Sequence, residues 1–227
     1  MSKSVAIVLS GGKGSRMNSD IPKQYMEVCG HPILFYSLRT FEESEIDEIV
    51  LVTAPGDEEF CRREIVEKYN LTKVGRIVAG GSERFNSVYN GLLAIEEADY
   101  VLIHDGARPF VTGDIISRNL EALKSDRAVV TGMPSKDTVK ISDDEGYVSF
   151  TPNRANVWNV QTPQSFDFHL VKDAYTKLLE SKNTSVTDDA QAVELFGNCR
   201  VRFVEGSYTN IKITTPDDLI VAEKILG

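Results

Sequence analysis

Short apolar runs and amphipathic runs alternate along the first 132 residues of the chain. Residues 5–9, 49–53, 76–78, 100–104 and 128–132 are nearly continuous in apolar side chains and predict strands buried on both faces. Between them, 32–43, 58–69, 87–96 and 114–125 predict helices. Ile33, Ser37, Leu38 and Phe41 share one helical face, and Val88, Leu92 and Ile95 share another. This order of strand and helix predicts an α/β fold with a mainly parallel sheet and helices on both faces.

After Gly132 the pattern changes. Residues 136–141 and 147–151, around the turn Ser142-Asp143-Asp144-Glu145-Gly146, predict a polar β-hairpin outside the alternation, an arm that projects from the core. Helices follow at 168–182 and 188–196, a strand at 201–204 and a closing helix at 216–226. With no repeat, low-complexity tract or linker, the expectation is one domain over residues 1–227 with the arm at about 134–156.

A chain of 227 residues can bury a sizeable core. No apolar run approaches the roughly 20 residues that cross a membrane. Met1-Ser2-Lys3-Ser4 leads straight into a strand, without the apolar region of a signal peptide, so a cytoplasmic protein is expected. Cys29, Cys61 and Cys199 are few, odd in number and far apart, which predicts reduced thiols rather than a zinc or redox motif. The net charge of −9 argues against a nucleic-acid partner.

That acidic balance makes one basic loop conspicuous. Leu9-Ser10-Gly11-Gly12-Lys13-Gly14-Ser15-Arg16-Met17 follows the first strand and leads to Pro22-Lys23-Gln24. Closely spaced glycines let backbone N–H groups approach a ligand, and Lys13, Arg16 and Lys23 add positive charge. The spacing is not that of a Walker A loop. As a dinucleotide fingerprint it fails at Met17, where a third small residue should pack. A basic group at Arg16 suits a reaction that builds negative charge at phosphorus.

Ligands of open parallel sheets bind at the carboxyl ends of the strands. Three loaded segments follow strands here: 11–23, Ala79-Gly80-Gly81-Ser82-Glu83-Arg84-Phe85-Asn86-Ser87, and His104-Asp105-Gly106-Ala107-Arg108-Pro109. Gly80-Gly81 reads as a turn that also contacts the ligand, or as a turn alone with Ser82 capping the next helix. Asp105 reads as a ligand for a divalent cation or a sugar hydroxyl, or as a cap; Arg108 reads as its ion-pair partner and His104 as a packed strand end. Asp143-Asp144-Glu145 reads as a solvated turn. Thr187-Asp188-Asp189 reads as a helix N-cap with acids that complement the dipole, and Lys212, between Ile211 and Ile213, as a solvent-facing strand residue.

Taken in order, Gly-Gly-Lys-Gly-Ser-Arg-Met…Pro-Lys-Gln (11–24), Gly80-Gly81-Ser82-Glu83-Arg84 leading to Ser87-Val88, His104-Asp105-Gly106-Ala107-Arg108-Pro109, Gln161-Thr162-Pro163-Gln164, Thr187-Asp188-Asp189-Ala190 and Asn210-Ile211-Lys212 resemble the 2-C-methyl-D-erythritol 4-phosphate cytidylyltransferases of the non-mevalonate isoprenoid pathway. Ribitol 5-phosphate cytidylyltransferases share the first and fourth motifs. The Asp-Gly-Ala-Arg-Pro and Thr-Asp-Asp-Ala forms are more similar to the methylerythritol enzymes. The chain departs from many family members at Ser10-Gly11-Gly12, where they have Ala-Ala-Gly, and at Ser82, where they carry an acid.

The resemblance implies a Rossmann-like nucleotidyltransferase fold, CTP and a polyol phosphate as substrates, and Mg²⁺ or another divalent cation bound largely through the CTP phosphates. It implies that Arg16 and Lys23 stabilise the phosphate transition state. Gly11, Gly12, Gly14, Gly81 and Ser87 would hold CTP; Asp105, near the sugar and metal, and Arg108 would also bind substrate. Arg154, Thr138, Thr162, Thr187 and Lys212 would hold methylerythritol phosphate, with Arg154 and Lys212 counted among the catalytic cations. It also implies a homodimer in which the arm completes the neighbouring site. Two rivals from other classes are a nicotinamide-dependent dehydrogenase, opposed by the failed third glycine, and a non-catalytic nucleotide-binding regulator, opposed by the joint presence of Arg16, Lys23, Arg154 and Lys212.

Overall fold

The computed structural model describes residues 2–12, 17, 21–181 and 185–227. β1 (Ser4–Ser10) leads to a 3-10 turn at Lys23–Tyr25, the short antiparallel pair β2 (Glu27–Val28) and β3 (His31–Pro32), and α1 (Ile33–Glu42). β4 (Glu48–Thr53) is followed by α2 (Glu58–Phe60), which continues as a π-helix over Cys61–Glu67. β5 (Val74–Ala79), α3 (Arg84–Ala94), β6 (Tyr100–Asp105), α4 (Gly113–Leu123) and β7 (Ala128–Pro134) complete the expected alternation. The arm carries β8 (Ile141–Ser142) and β9 (Val148–Phe150). β10 (Trp158–Asp167), α5 (Phe168–Ser181), α6 (Asp189–Phe196), β11 (Arg202–Glu205) and α7 (Pro216–Leu226) close the chain.

The central sheet runs β11-β7-β10-β6-β1-β4-β5 and is parallel except for β10. Alternate residues of β1 feed two cores, as the strand period requires. Val5 and Ile7 pack with Val88 and Leu92 of α3 and with Val171, Ala174 and Leu178 of α5. Ala6 and Val8 pack with Leu34, Leu38 and Phe41 of α1 and with Ile115 and Ile116 of α4. Gly91 brings α3 onto the sheet, since a Cβ there would stand 2.8 Å from Ile7 Cγ2. Burial pushes the Cys61 thiol up to about 11, which keeps it protonated, in line with the inert thiol expected. Among the described residues no helix is long and apolar enough to cross a membrane.

β10 is the main departure from the sequence reading, which predicts no strand between the arm and the helix at 168–182. It extends to Asp167 and lies antiparallel between β6 and β7. Its buried polar residues hide it, because they find internal partners: Ser165 Oγ donates to Asn119 Oδ1 at 2.9 Å, and Gln164 Oε1 accepts from the Ala190 N–H at 2.8 Å. The arm pairs over a shorter stretch than expected. Its turn is organised by Asp143, whose carboxylate accepts from the N–H groups of Glu145 (3.1 Å) and Tyr147 (2.9 Å).

Candidate active site

Strand register decides where the loops meet. Ser10 lies level with Thr53, Leu9 with Asp105, and Thr53 with Ala79. The segments leaving these strand ends open on one cleft of about 710 Å³. Of the expected site residues, Gly11, Gly12, Lys23, Gly81, Ser87, Asp105 and Lys212 line it, together with Arg84.

The second glycine turn is built for close approach. A Cβ at Gly81 would stand 2.3 Å from Asn86 Cβ, so no side chain fits between the turn and α3. The Gly81 N–H donates to Ser87 Oγ at 3.0 Å. The helix cap is Glu83 rather than Ser82: Glu83 and Asn86 exchange side-chain and backbone bonds as a capping box, while Ser82 Oγ donates to Asn86 Oδ1. A Cβ at Gly12, by contrast, would meet nothing within 4 Å.

Lys23 begins a turn fixed from two sides. Gln24 is buried and donates to the Ser10 carbonyl at 2.6 Å, and Tyr25 OH donates to Asp57 at 3.0 Å. Lys23 Nζ donates to the Ile213 carbonyl at 2.8 Å, which brings it beside the segment that carries Lys212. That segment is a loop and not the strand expected. Lys212 Nζ reaches Asp105 Oδ2 at 2.7 Å.

Asp105 is the hub of the cleft. Arg84 Nε stands 3.4 Å from Oδ1, and Arg108 Nε stands 4.0 Å from Oδ2. Burial opposes the charge of this carboxylate, but Arg84, Lys212 and Arg108 outweigh it and hold Asp105 well below the usual carboxylate range. Arg108 is less simply its ion-pair partner than expected. Its terminal nitrogens donate to the carbonyls of Asn210 (2.8 Å) and Val160 (3.5 Å), which ties the loop after β6 to the late part of the chain.

The remaining expected residues separate into groups. Thr162 is buried, and its hydroxyl accepts from the Asp105 N–H at 3.1 Å and pairs with His104 Nδ1 at 3.0 Å. Thr187 is exposed, with its N–H and hydroxyl donating to Gln191 Oε1; the cap of α6 is Asp188, one residue later than Thr187. Thr138 and Arg154 sit exposed on the arm, outside this cleft. Gly14 and Arg16 lie outside the described residues.

His104 is fully buried and packs edge-on against Phe41, as a strand-end core residue should. Its Nε2 faces the Arg108 carbonyl at 3.2 Å, so Nε2 carries the proton and Nδ1 accepts from Thr162. Burial lowers its pKa from 6.5 to about 4. An unfolded histidine binds a proton near pH 6.5, and the folded one resists until about pH 4. Stability therefore falls as pH falls through that window, by about 3 kcal/mol from this group. Urea unfolding from pH 7 to pH 4.5 should show the loss, and His104→Gln should flatten it. Parallel losses in both proteins would assign the effect to other groups.

Among the described residues no three His, Cys, Asp or Glu side chains gather as a cation cage. Asp105 is one carboxylate, already engaged by Lys212 and Arg84.

Sequence reasoning missed two features of this site. Arg84 lies in a segment it singled out, yet only the fold shows its guanidinium meeting both Asp105 and Asp189. Asp189 carries a cap-like local signal, and its partner lies far away in the chain.

Residues 4–227 match the family described as IspD: 2-C-methyl-D-erythritol 4-phosphate cytidylyltransferase. The chain is 49% identical over 228 residues to the 2-C-methyl-D-erythritol 4-phosphate cytidylyltransferase of Clostridium botulinum (strain 657 / Type Ba4), covering 100% of this chain and 98% of that one. It is 44% identical to the enzyme of the same name from Lachnoclostridium phytofermentans, covering 100% and 97%. The crystal structure of 4-diphosphocytidyl-2C-methyl-D-erythritol synthase from Anaerococcus prevotii DSM 20548 superposes with a TM-score of 0.88 at 41% identity, covering 99% of this chain and 96% of that one.

Proposed function

The chain belongs to the 2-C-methyl-D-erythritol 4-phosphate cytidylyltransferase family, and from that premise we propose how its own residues carry the reaction. It transfers CMP from CTP to 2-C-methyl-D-erythritol 4-phosphate, releasing pyrophosphate and forming 4-diphosphocytidyl-2-C-methyl-D-erythritol in the non-mevalonate pathway. The observation that carries the assignment of roles is the convergence of Lys23, Lys212, Arg84 and Asp105 beside Gly11-Gly12 and Gly80-Gly81 at one edge of the sheet.

A phosphate oxygen of the acceptor bonds to the α-phosphorus of CTP. The bond from that phosphorus to the bridging oxygen breaks, and its electron pair leaves with pyrophosphate. A phosphate monoester is largely dianionic at neutral pH, so the nucleophile needs no general base; His104, buried and bonded on both sides, offers none. The difficulty is to hold two polyanions together. Lys23 and Arg16 stabilise charge at the reacting phosphorus, while Lys212 and Arg154 align the incoming phosphate. Gly11, Gly12, Gly14, Gly81 and Ser87 hold the nucleotide, and Thr138 and Thr187 hold the acceptor. Thr162 acts as a brace for Asp105, since its hydroxyl is already engaged on both sides. Asp105 would help hold a divalent cation, which would supply further charge neutralisation when bound with the nucleotide.

Residues 1–227 act as one domain whose arm completes the site of a second copy. Two observations support this: Thr138 and Arg154 stand outside their own cleft, and the arm leaves Tyr147, Val148 and Phe150 more than half exposed. A cytoplasmic setting belongs to the same reading and is supported by three free cysteines.

Pyrophosphate release from four nucleoside triphosphates, each with 2-C-methyl-D-erythritol 4-phosphate or ribitol 5-phosphate, tests the reading. Release is expected with CTP and the methylerythritol phosphate. A preference for ribitol 5-phosphate would reassign the acceptor, and no release with CTP would overturn the reading.

A further inference from the structure

Arg84 stands between the cleft and the interior behind it. Its two terminal nitrogens meet both oxygens of Asp189 at 2.8 and 2.7 Å, a fork-to-fork pairing that fixes the plane of the guanidinium. Asp189 is fully buried at the first turn of α6, and Tyr175 OH from α5 donates to the same carboxylate. With both terminal nitrogens occupied, Nε is left facing Asp105, the carboxylate that holds Lys212.

A buried ion pair is weak evidence for stability, because its desolvation cost rivals its attraction. An apolar pair could fill the same space between α3, α5 and α6. What an apolar pair could not supply is a charged donor aimed at a cleft carboxylate. Asp189 also sets the balance of the cluster: Arg84, Lys212 and Arg108 stand against two carboxylates with it, and against one without it.

We infer that Asp189, supported by Tyr175, is a positioning residue for the transfer reaction: it locks Arg84 so that Asp105 presents Lys212 to the incoming phosphate. This rests on the functional reading above. In Asp189→Asn the guanidinium loses its charged anchor and turns its free donors to Asp105, and the carboxylate no longer holds the Lys212 ammonium in place.

The test is a double-mutant cycle on pyrophosphate release, with thermal unfolding and CTP binding measured on each variant. Asp189→Asn should lower kcat/KM for the acceptor by about 100-fold, the scale of misplacing a reacting group by about an ångström. Its affinity for CTP should stay within about threefold of wild type, the spread of a surface-scale perturbation. In a Lys212→Ala background the same change should cost little more, because its effect passes through Lys212. Tyr175→Phe removes one hydrogen bond and should cost about tenfold on the same path, and it decides the matter if Asp189→Asn does not fold. Losses that multiply in the double variant, a matching loss of CTP affinity, or full activity in a folded Asp189→Asn protein would overturn the inference. A wild-type protein that released no pyrophosphate would instead refute the functional reading itself.

Discussion

Lys23→Ala should lower kcat by about 100-fold or more, the scale of removing one preorganised charge-stabilising donor. Lys23 opens the short turn after the glycine loop, on the wall of the cleft, with its ammonium held at 2.8 Å by the Ile213 carbonyl. A doubly or triply charged phosphate entering the cleft can compete with that carbonyl for the ammonium. The turn is held by other side chains as well: Gln24 ties it to Ser10, and Tyr25 ties it to Asp57. The variant should therefore fold as the wild type does, with the loss concentrated in the chemical step. Steady-state kinetics with both substrates saturating gives the measurement, and a near-normal kcat in a folded variant contradicts the role.

Mixing two inactive variants should restore activity. Arg154→Ala is expected to impair use of the acceptor more than binding of CTP, because Arg154 stands on the arm and outside the cleft of its own chain. If the arm serves the neighbouring copy, a dimer of Lys23→Ala with Arg154→Ala holds one site with both defects and one site with neither. Equal amounts, unfolded and refolded together, should recover about a quarter of wild-type activity, the share expected for random pairing in a two-fold dimer. No recovery, in a mixture shown to contain hybrid dimers, would mean that each chain builds its own site.

The alternation up to β7 was legible because buried parallel strands are apolar on both faces, and the helices between them keep one apolar stripe. The cleft was legible for a related reason: segments that follow parallel strands leave the same edge, so Gly11-Gly12, 79–87 and the start of 104–109 converge. The pairings across that cleft were not. Lys212 between Ile211 and Ile213 has the local pattern of a strand, and only the return of the chain after β11 brings its ammonium to Asp105. Asp189 looked like an ordinary helix-start acid until α5 and α6 packed it against Arg84. β10 escaped notice because Gln161, Thr162, Gln164 and Ser165 are buried polar residues whose partners come from distant elements. In each case the deciding interaction links parts of the chain that no sequence window contains.

A crystal structure with a non-hydrolysable CTP analogue and Mg²⁺ tests the central claim most directly. The expected result has the triphosphate lying along Gly11 and Gly12, with the Lys23 ammonium moved from the Ile213 carbonyl onto a phosphate oxygen. A triphosphate bound elsewhere, or one in the cleft with Lys23 turned away from it, would contradict the claim.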